Sequence, residues 1–406
     1  MCVIPAMKVA PLVLLFVLQN IVLGGDADAK ARVELANDLC KVVVTPEDGG
    51  ACVSWEMKDK AFTLPLQADA ELFREVFSNK EMEGKPKSLT FSPRLLPGDG
   101  GTTLSLEAKL DTSNSDEAVA GLSFKRDMIL PTGKRCLVVK QTLSNPTQDP
   151  MEARVGVRQQ VLLGSDRAEE TFLPSERGVL RICGKTIDGF YSKNDWECNP
   201  VENWLAVLNP KSKSGLVFVL EAESVEGFYT QNDMGVCGWL ANAGILMPGE
   251  SATVTYTVIP VNGFSGMVHA SPRILADVQI KAAGNIELSH RIAGATSPLG
   301  DVIIKSSICN VKSKTVAGGS EITLKGVGVN PVEALSTVNQ AQSEPVIVRV
   351  EVSGKGWKES YETYFEGSFR IETVPFLSYK PDYKRTKAGF ARNPNSKSET
   401  IGMNKK

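Results

Sequence analysis

Apolar residues fall at every second position through most of this chain, and that period permits few folds. Leu104, Leu106, Ala108 and Leu110 alternate with polar residues, as do Leu122 and Phe124, Val155, Val157, Gln159 and Val161, Val217 and Val219, and Val254, Tyr256 and Val258. A period of two puts one side-chain face on a core and the other in solvent or against a second layer. The runs are short and are broken by Gly, Pro, Asn and Asp clusters at 97–101, 145–150 and 209–215. That spacing predicts an all-β, antiparallel sandwich or barrel rather than alternating β-α units. One short helix is expected at 69–77, with Asp69 as cap and Leu72, Phe73, Val76 and Phe77 on one side.

The stretch 37–55 reads as strand, turn, strand: an apolar run from Leu39 to Val44, a Pro-Glu-Asp-Gly-Gly turn at 46–50, then a second strand to Trp55. Gly49 and Gly50 supply the positive φ that closes such a turn. A length of 406 residues favours two domains. The first is expected at 30–268. The segment 261–273, rich in small residues, reads as the junction. Strands then restart at 276–281, 286–292, 301–307, 321–327, 346–352 and 361–364, and 331–341 reads as a helical or loop insertion. Six or seven strands within 274–374 fit a smaller immunoglobulin-like sandwich, without a cross-sheet disulfide because Cys309 stands alone there. From 375 to 406 the chain is polar and basic, with Lys380, Lys384, Arg385, Lys387 and Arg392, and is expected to be a disordered, solvated tail able to meet an envelope or cell-wall component.

Lys8, the apolar stretch 12–18 and the small-x-small sequence Ala27-Asp28-Ala29 predict a cleaved export signal over residues 1–29, and hence a secreted or periplasmic chain. An uncleaved membrane anchor is the alternative. The formal net charge of −2 gives no whole-protein reason to bind nucleic acid. Export makes disulfides admissible. Cys40 and Cys52 flank the first turn and are one candidate pair, and Cys183 and Cys198 the next; the odd count after the signal leaves at least one thiol free. The alternative for each is a small buried apolar residue. No cysteine or histidine spacing suggests a metal site, and no motif calls for a cofactor.

Three stretches in order resemble the galactose-mutarotase-like β-supersandwich superfamily over about 33–263. They are the opening turn with Pro46, Gly49 and Gly50; Trp204, Ala206, Gly215 and Leu216; and Leu246, Pro248, Gly249, Glu250 and Gly263. The resemblance implies a large antiparallel supersandwich and a carbohydrate partner. Its members include sugar epimerases, polysaccharide lyases, accessory domains of glycoside hydrolases and periplasmic glucan-synthesis proteins, some with an immunoglobulin-like module. The epimerases use histidines and a glutamate as acid and base. Here the only histidines are His269 and His290, outside the supersandwich, so ordinary mutarotation is not expected.

The candidate glycan site lies in 189–204 and 227–240, where aromatic rings mix with acids and amides: Tyr191, Asn194, Asp195, Trp196, Glu202, Tyr229, Asn232 and Asp233. Sugar C–H faces stack on flat rings, and hydroxyls need fixed polar partners. Trp55, Trp204 and Trp239 read as core. Asp195, Glu197 and Glu202 form a carboxylate set, but acids in an exposed loop are mostly solvated. The leading expectation is an exported, non-catalytic protein that binds oligo- or polysaccharide. A lyase or hydrolase using carboxylates or tyrosines, and a structural envelope protein without a sugar site, are the alternatives.

Overall fold

The computed structural model describes residues 31–365 apart from 59–63, 65, 68–69, 85–86, 99, 165–168, 176–177, 184–194, 198–201, 222–224, 232–235, 284, 311–314 and 339–345, together with 383–386 and 389–392. The opening hairpin forms as expected. Cys40–Thr45 pairs antiparallel with Ala51–Met57, and Gly49 and Gly50 take φ of 62° and 60°. Its register sets Cys40 opposite Met57 and Cys52 opposite Val44, so the two cysteines do not face each other, and both are free, buried thiols. Burial pushes them up to about 11 and about 12, out of reach of ordinary thiolate chemistry.

The hairpin belongs to an eight-stranded antiparallel sheet. Its order is Val33–Ala36, Cys40–Thr45, Ala51–Met57, Glu71–Val76, Met151–Gln160, Val236–Leu246, Val225–Gln231 and Asp195–Glu197. A nine-stranded sheet packs against it, in the order Gly178–Cys183, Glu170–Ser175, Trp204–Asn209, Ser214–Leu220, Ser251–Asn262, Leu137–Ser144, Ser123–Pro131, Gly101–Lys109 and Ser92–Gly98. The main core fills the space between them, with Val42, Leu104, Phe124, Val157, Phe218, Trp239 and Tyr256 among its members.

Residues 70–77 are not a helix, and Asp69, the expected cap, lies outside the described residues. The strand Glu71–Val76 occupies most of this stretch, with a register shift between Glu71 and Arg74 and Phe73 in the left-handed region at φ 69°. The helix follows instead at Asn79–Glu83, where Ser78 accepts from the Glu81 amide and Glu81 accepts from the Phe77 amide. These reciprocal bonds satisfy donors that a helix start would leave orphaned.

Two four-stranded antiparallel sheets follow the junction. One runs His269–Ala270, Ile274–Ala283, Asn285–Gly294, Val332–Val338, and the other Val316–Val327, Gly300–Asn310, Val346–Gly354, Trp357–Phe365. The stretch 331–341, expected as helix or loop, therefore contributes an edge strand, Val332–Val338, on the side of Asn285–Gly294. Their own core contains Ile274, Ile286, Val302, Ile304, Val348 and Val350. In the basic tail, Tyr383–Thr386 and Gly389–Arg392 pair as a short hairpin.

A third apolar cluster joins the two halves of the chain. Phe172, Trp204, Ala206, Val217 and Ile259 from the nine-stranded sheet meet Phe264, Met267, Ala270, Leu275, Ala293 and Ala295. Both faces of Trp204–Asn209 and Ser214–Leu220 are thereby covered, and every residue of the two strands is buried. Their continuous apolar sequences, WLAVLN and GLVFVL, follow from that double burial. Gly263 turns the chain out of the sheet at φ 88°, with Pro331 2.6 Å from where a Cβ would stand.

Candidate functional site

The outward face of the eight-stranded sheet carries a row of chemically useful side chains, assembled by register. In Met151–Gln160, Ala153, Val155 and Val157 point to the core, so Arg154, Arg158 and Gln160 take the opposite phase. Arg158 stands opposite Arg74 on one side and Gly238 on the other; Gly238 pairs with Tyr229, and Tyr229 with position 196. A parallel row runs Glu71, Gln160, Val236, Gln231. The bulge at Phe73 turns both Leu72 and Phe73 inward, which lets Glu71 and Arg74 share the outer face although they are three residues apart. A left-handed phenylalanine is a strained residue, held here because both neighbours serve.

Arg74 is paired through both of its terminal nitrogens. Its Nη2 donates to Glu71 Oε1 at 3.1 Å and Asp48 Oδ1 at 3.3 Å, and its Nη1 to Ser88 Oγ at 3.2 Å. Asp48 comes from the opening turn, so that turn is tied directly to this face. Arg158 differs in that no carboxylate among the described residues pairs with it; its Nε, like that of Arg74, is buried with no hydrogen-bond partner. Burial lowers the guanidinium's pKa from its ordinary value, an effect opposed by Tyr229 and Glu71 and reinforced by Arg74. Gly238 leaves the space between Arg158 and Tyr229 without a side chain. A Cβ there would lie 2.1 Å from Val157 O and 3.1 Å from the Met82 thioether, which lies over the gap. Met82, Tyr229, Val76, Val236 and Leu240 form a small buried apolar cluster beside the arginines.

Of the sequence-derived site residues, Tyr229 lies on this face but is fully buried, so its ring forms part of the packed floor rather than a free stacking platform. Asp195 and Trp196 lie in the edge strand, opposite Thr230 and Tyr229, which brings their backbone to the end of the row. Tyr191, Asn194, Asn232 and Asp233 lie outside the described residues, as do Cys198 and the expected export signal. Cys183 ends the strand Gly178–Cys183. Glu202 is not part of the row; it belongs to a cluster at the junction. There its Oε2 accepts from Trp204 Nε1 at 2.6 Å and lies 2.9 Å from His269 Nδ1. His269 Nε2 lies 3.3 Å from Glu359 Oε2, which also accepts from Ser271 Oγ at 2.7 Å. The imidazole stacks on Tyr361, centroids 4.9 Å apart and planes within 8°. Burial works against its charge, but hydrogen bonds to Glu202 and Glu359 prevail and push His269 up to about 9. His290 has no carboxylate partner; its Nε2 faces Ser306 and Ser336, and burial takes it down to about 4.

Arg74, Arg158 and Gln160 were not among the residues singled out in the sequence. The signal was present: a charged residue in the outward phase of a strand whose inward phase is apolar. Among the described residues no group of three or more His, Cys, Asp or Glu is placed to hold a metal ion, and no helix is long and apolar enough to cross a membrane.

These features define an antiparallel two-sheet β protein with a polar double row on one face and a smaller two-sheet module behind the other sheet. No protein-family model matches the sequence, and no curated protein matches it. Among solved structures, the chain is similar to the Slr1438 protein of Synechocystis sp. PCC 6803, with TM-score 0.41 and 13% identity over 57% of this chain and 96% of that one. It is similar to a galactose mutarotase-like protein from Lactobacillus casei ATCC 334, with TM-score 0.39 and 11% identity over 57% and 100%. It is also similar to the GH36 α-galactosidase AgaA from Geobacillus stearothermophilus, with TM-score 0.37 and 13% identity over 57% and 41%.

Proposed function

We propose that this protein is exported and binds carbohydrate, without acting on it, at the double row on the outer face of the eight-stranded sheet. The observation that carries the reading is the half-buried Arg158 guanidinium, which no carboxylate among the described residues pairs with, bordered by Gln160, Glu71 and Gln231. Donors and acceptors fixed on a rigid sheet at strand spacing suit a ligand whose hydroxyls are themselves fixed on rings. The non-catalytic part is supported by where the histidines are engaged: His269 in the junction cluster and His290 inside the smaller module, neither on the row.

Incubating the protein with a panel of oligo- and polysaccharides, while reading both retention and product masses, tests this. Retention without new masses is expected, weakened several-fold by Gln160→Ala or Trp196→Ala with the fold intact. New masses would make the protein an enzyme, and unsaturated products a lyase. Neither retention nor products would sink the carbohydrate reading and favour a structural role.

A further inference from the structure

Resting on the carbohydrate reading above, we infer that the basic C-terminal hairpin is a strap across the glycan face, which a ligand displaces in order to bind. Gly389–Arg392 packs on Val236–Leu246, a strand in the interior of the eight-stranded sheet. Both edges of that strand are taken, by Met151–Gln160 and Val225–Gln231, and its inner side is filled by Cys237, Trp239 and Ala241 of the main core. The hairpin therefore meets it from the outer side, where the polar rows run.

The burial of that side agrees. A sheet face open to water alternates covered and exposed residues, yet six in succession are buried from Val236 to Ala241. Tyr229 beside them is closed off as well, and Glu226, which pairs with Arg154, keeps only 10% of its side chain exposed. Met82 covers Gly238; the rest of the strand needs another cover. The hairpin in turn needs a surface, because two paired strands alone are marginal in water. One placement answers both. Val236 and Gly238 are central members of the two rows, so a strap here lies between Arg158 and Gln160 on one side and Tyr229 and Gln231 on the other. It competes with any glycan that spans the rows. The segment 383–392 carries Lys384, Arg385, Lys387 and Arg392 with no acid and few apolar residues, so docking gains little apolar burial and is weak enough to reverse.

The test uses the full chain and a double variant, Phe390→Asp with Ala391→Pro. It puts a charge into the hairpin and removes a ladder donor, and it touches no residue of the rows. In the native chain, amides of 383–392 should exchange hydrogen about a hundredfold more slowly than in a peptide of that sequence. The variant should lose this protection, with faster exchange at 236–241. Calorimetry with the oligosaccharide panel should then read about threefold or more tighter binding by the variant, because more of it is open. Exchange at the peptide rate in the native chain overturns the strap. Unchanged or weaker glycan binding by the opened variant overturns its role as a cover. Protection that is lost in the variant, with no glycan bound by either chain, sinks the carbohydrate reading and the gating role with it, and leaves a hairpin that merely shields the sheet.

Discussion

Arg126 shows how much of this site rests on one residue that never touches it. Fully buried between the sheets, it pairs with Glu75, donates to Phe73 O at 2.6 Å and to Gly50 O, and lies over the Phe91 ring at 5.1 Å. It thus grips both the turn that supplies Asp48 and the bulge that supplies Arg74. Burial raises the Glu75 pKa, and the Arg126 guanidinium works to bring it back down. Arg126→Met would leave that carboxyl buried without its cation, and should cost about 3–5 kcal/mol in urea unfolding. Adding Glu75→Gln should return part of that loss, since the orphaned charge is gone while the carbonyls of Gly50 and Phe73 stay unmatched. A single-variant loss below about 1 kcal/mol would mean that the pair does not hold the interior together. Because the turn and bulge loosen with it, Arg126→Met should also weaken glycan retention.

At the scale of elements, the opening hairpin was readable because Pro46, Gly49 and Gly50 fix a turn wherever they stand between two apolar runs. The strand Glu71–Val76 was not. Its bulge breaks the alternation and leaves Leu72, Phe73, Val76 and Phe77 spaced as a helical face would be, while the actual start signal, Ser78 followed by Glu81, comes only after that face ends. The surroundings of Glu202 were hidden for a different reason: its partner His269 is 67 residues away, Glu359 on the other side of that imidazole is 90 residues further on, and only the packing of the junction brings the three together.

That junction element has a pH signature. His269 is raised from 6.5 to about 9, so its stabilisation is complete below pH 6.5 and is lost as pH rises through about 9. His290 is lowered from 6.5 to about 4, so its contribution is present above pH 6.5 and is lost as pH falls through about 4. Stability should peak near pH 6.5, with roughly 3 kcal/mol at stake on the alkaline limb. Denaturant midpoints measured across pH 5–10 check this, and His269→Gln should flatten the alkaline limb alone. An alkaline limb equally steep in that variant would place the titrating group elsewhere.

For the whole molecule, the question is whether the two halves unfold together. The third apolar cluster argues that they do. If the C-terminal sheets left first, Trp204, Ala206, Val217 and Ile259 on the back of the nine-stranded sheet would meet water, along with Phe264 and Met267 from the junction. Fully buried side chains of this size are worth about 1.5–3 kcal/mol each when exposed, and the Glu202–His269–Glu359 contacts would break in the same step. A calorimetric scan of the full chain should therefore show one transition, with van't Hoff and calorimetric enthalpies in agreement. Phe264→Ala tests the cause. It lies in the shared cluster and in neither separate core, so it should lower the transition by about 3–5 kcal/mol of stability and begin to split it in two. Two transitions in the native chain would mean that the shared cluster covers the sheet without coupling it. The row holding Arg158 would then be carried by the N-terminal sheets alone.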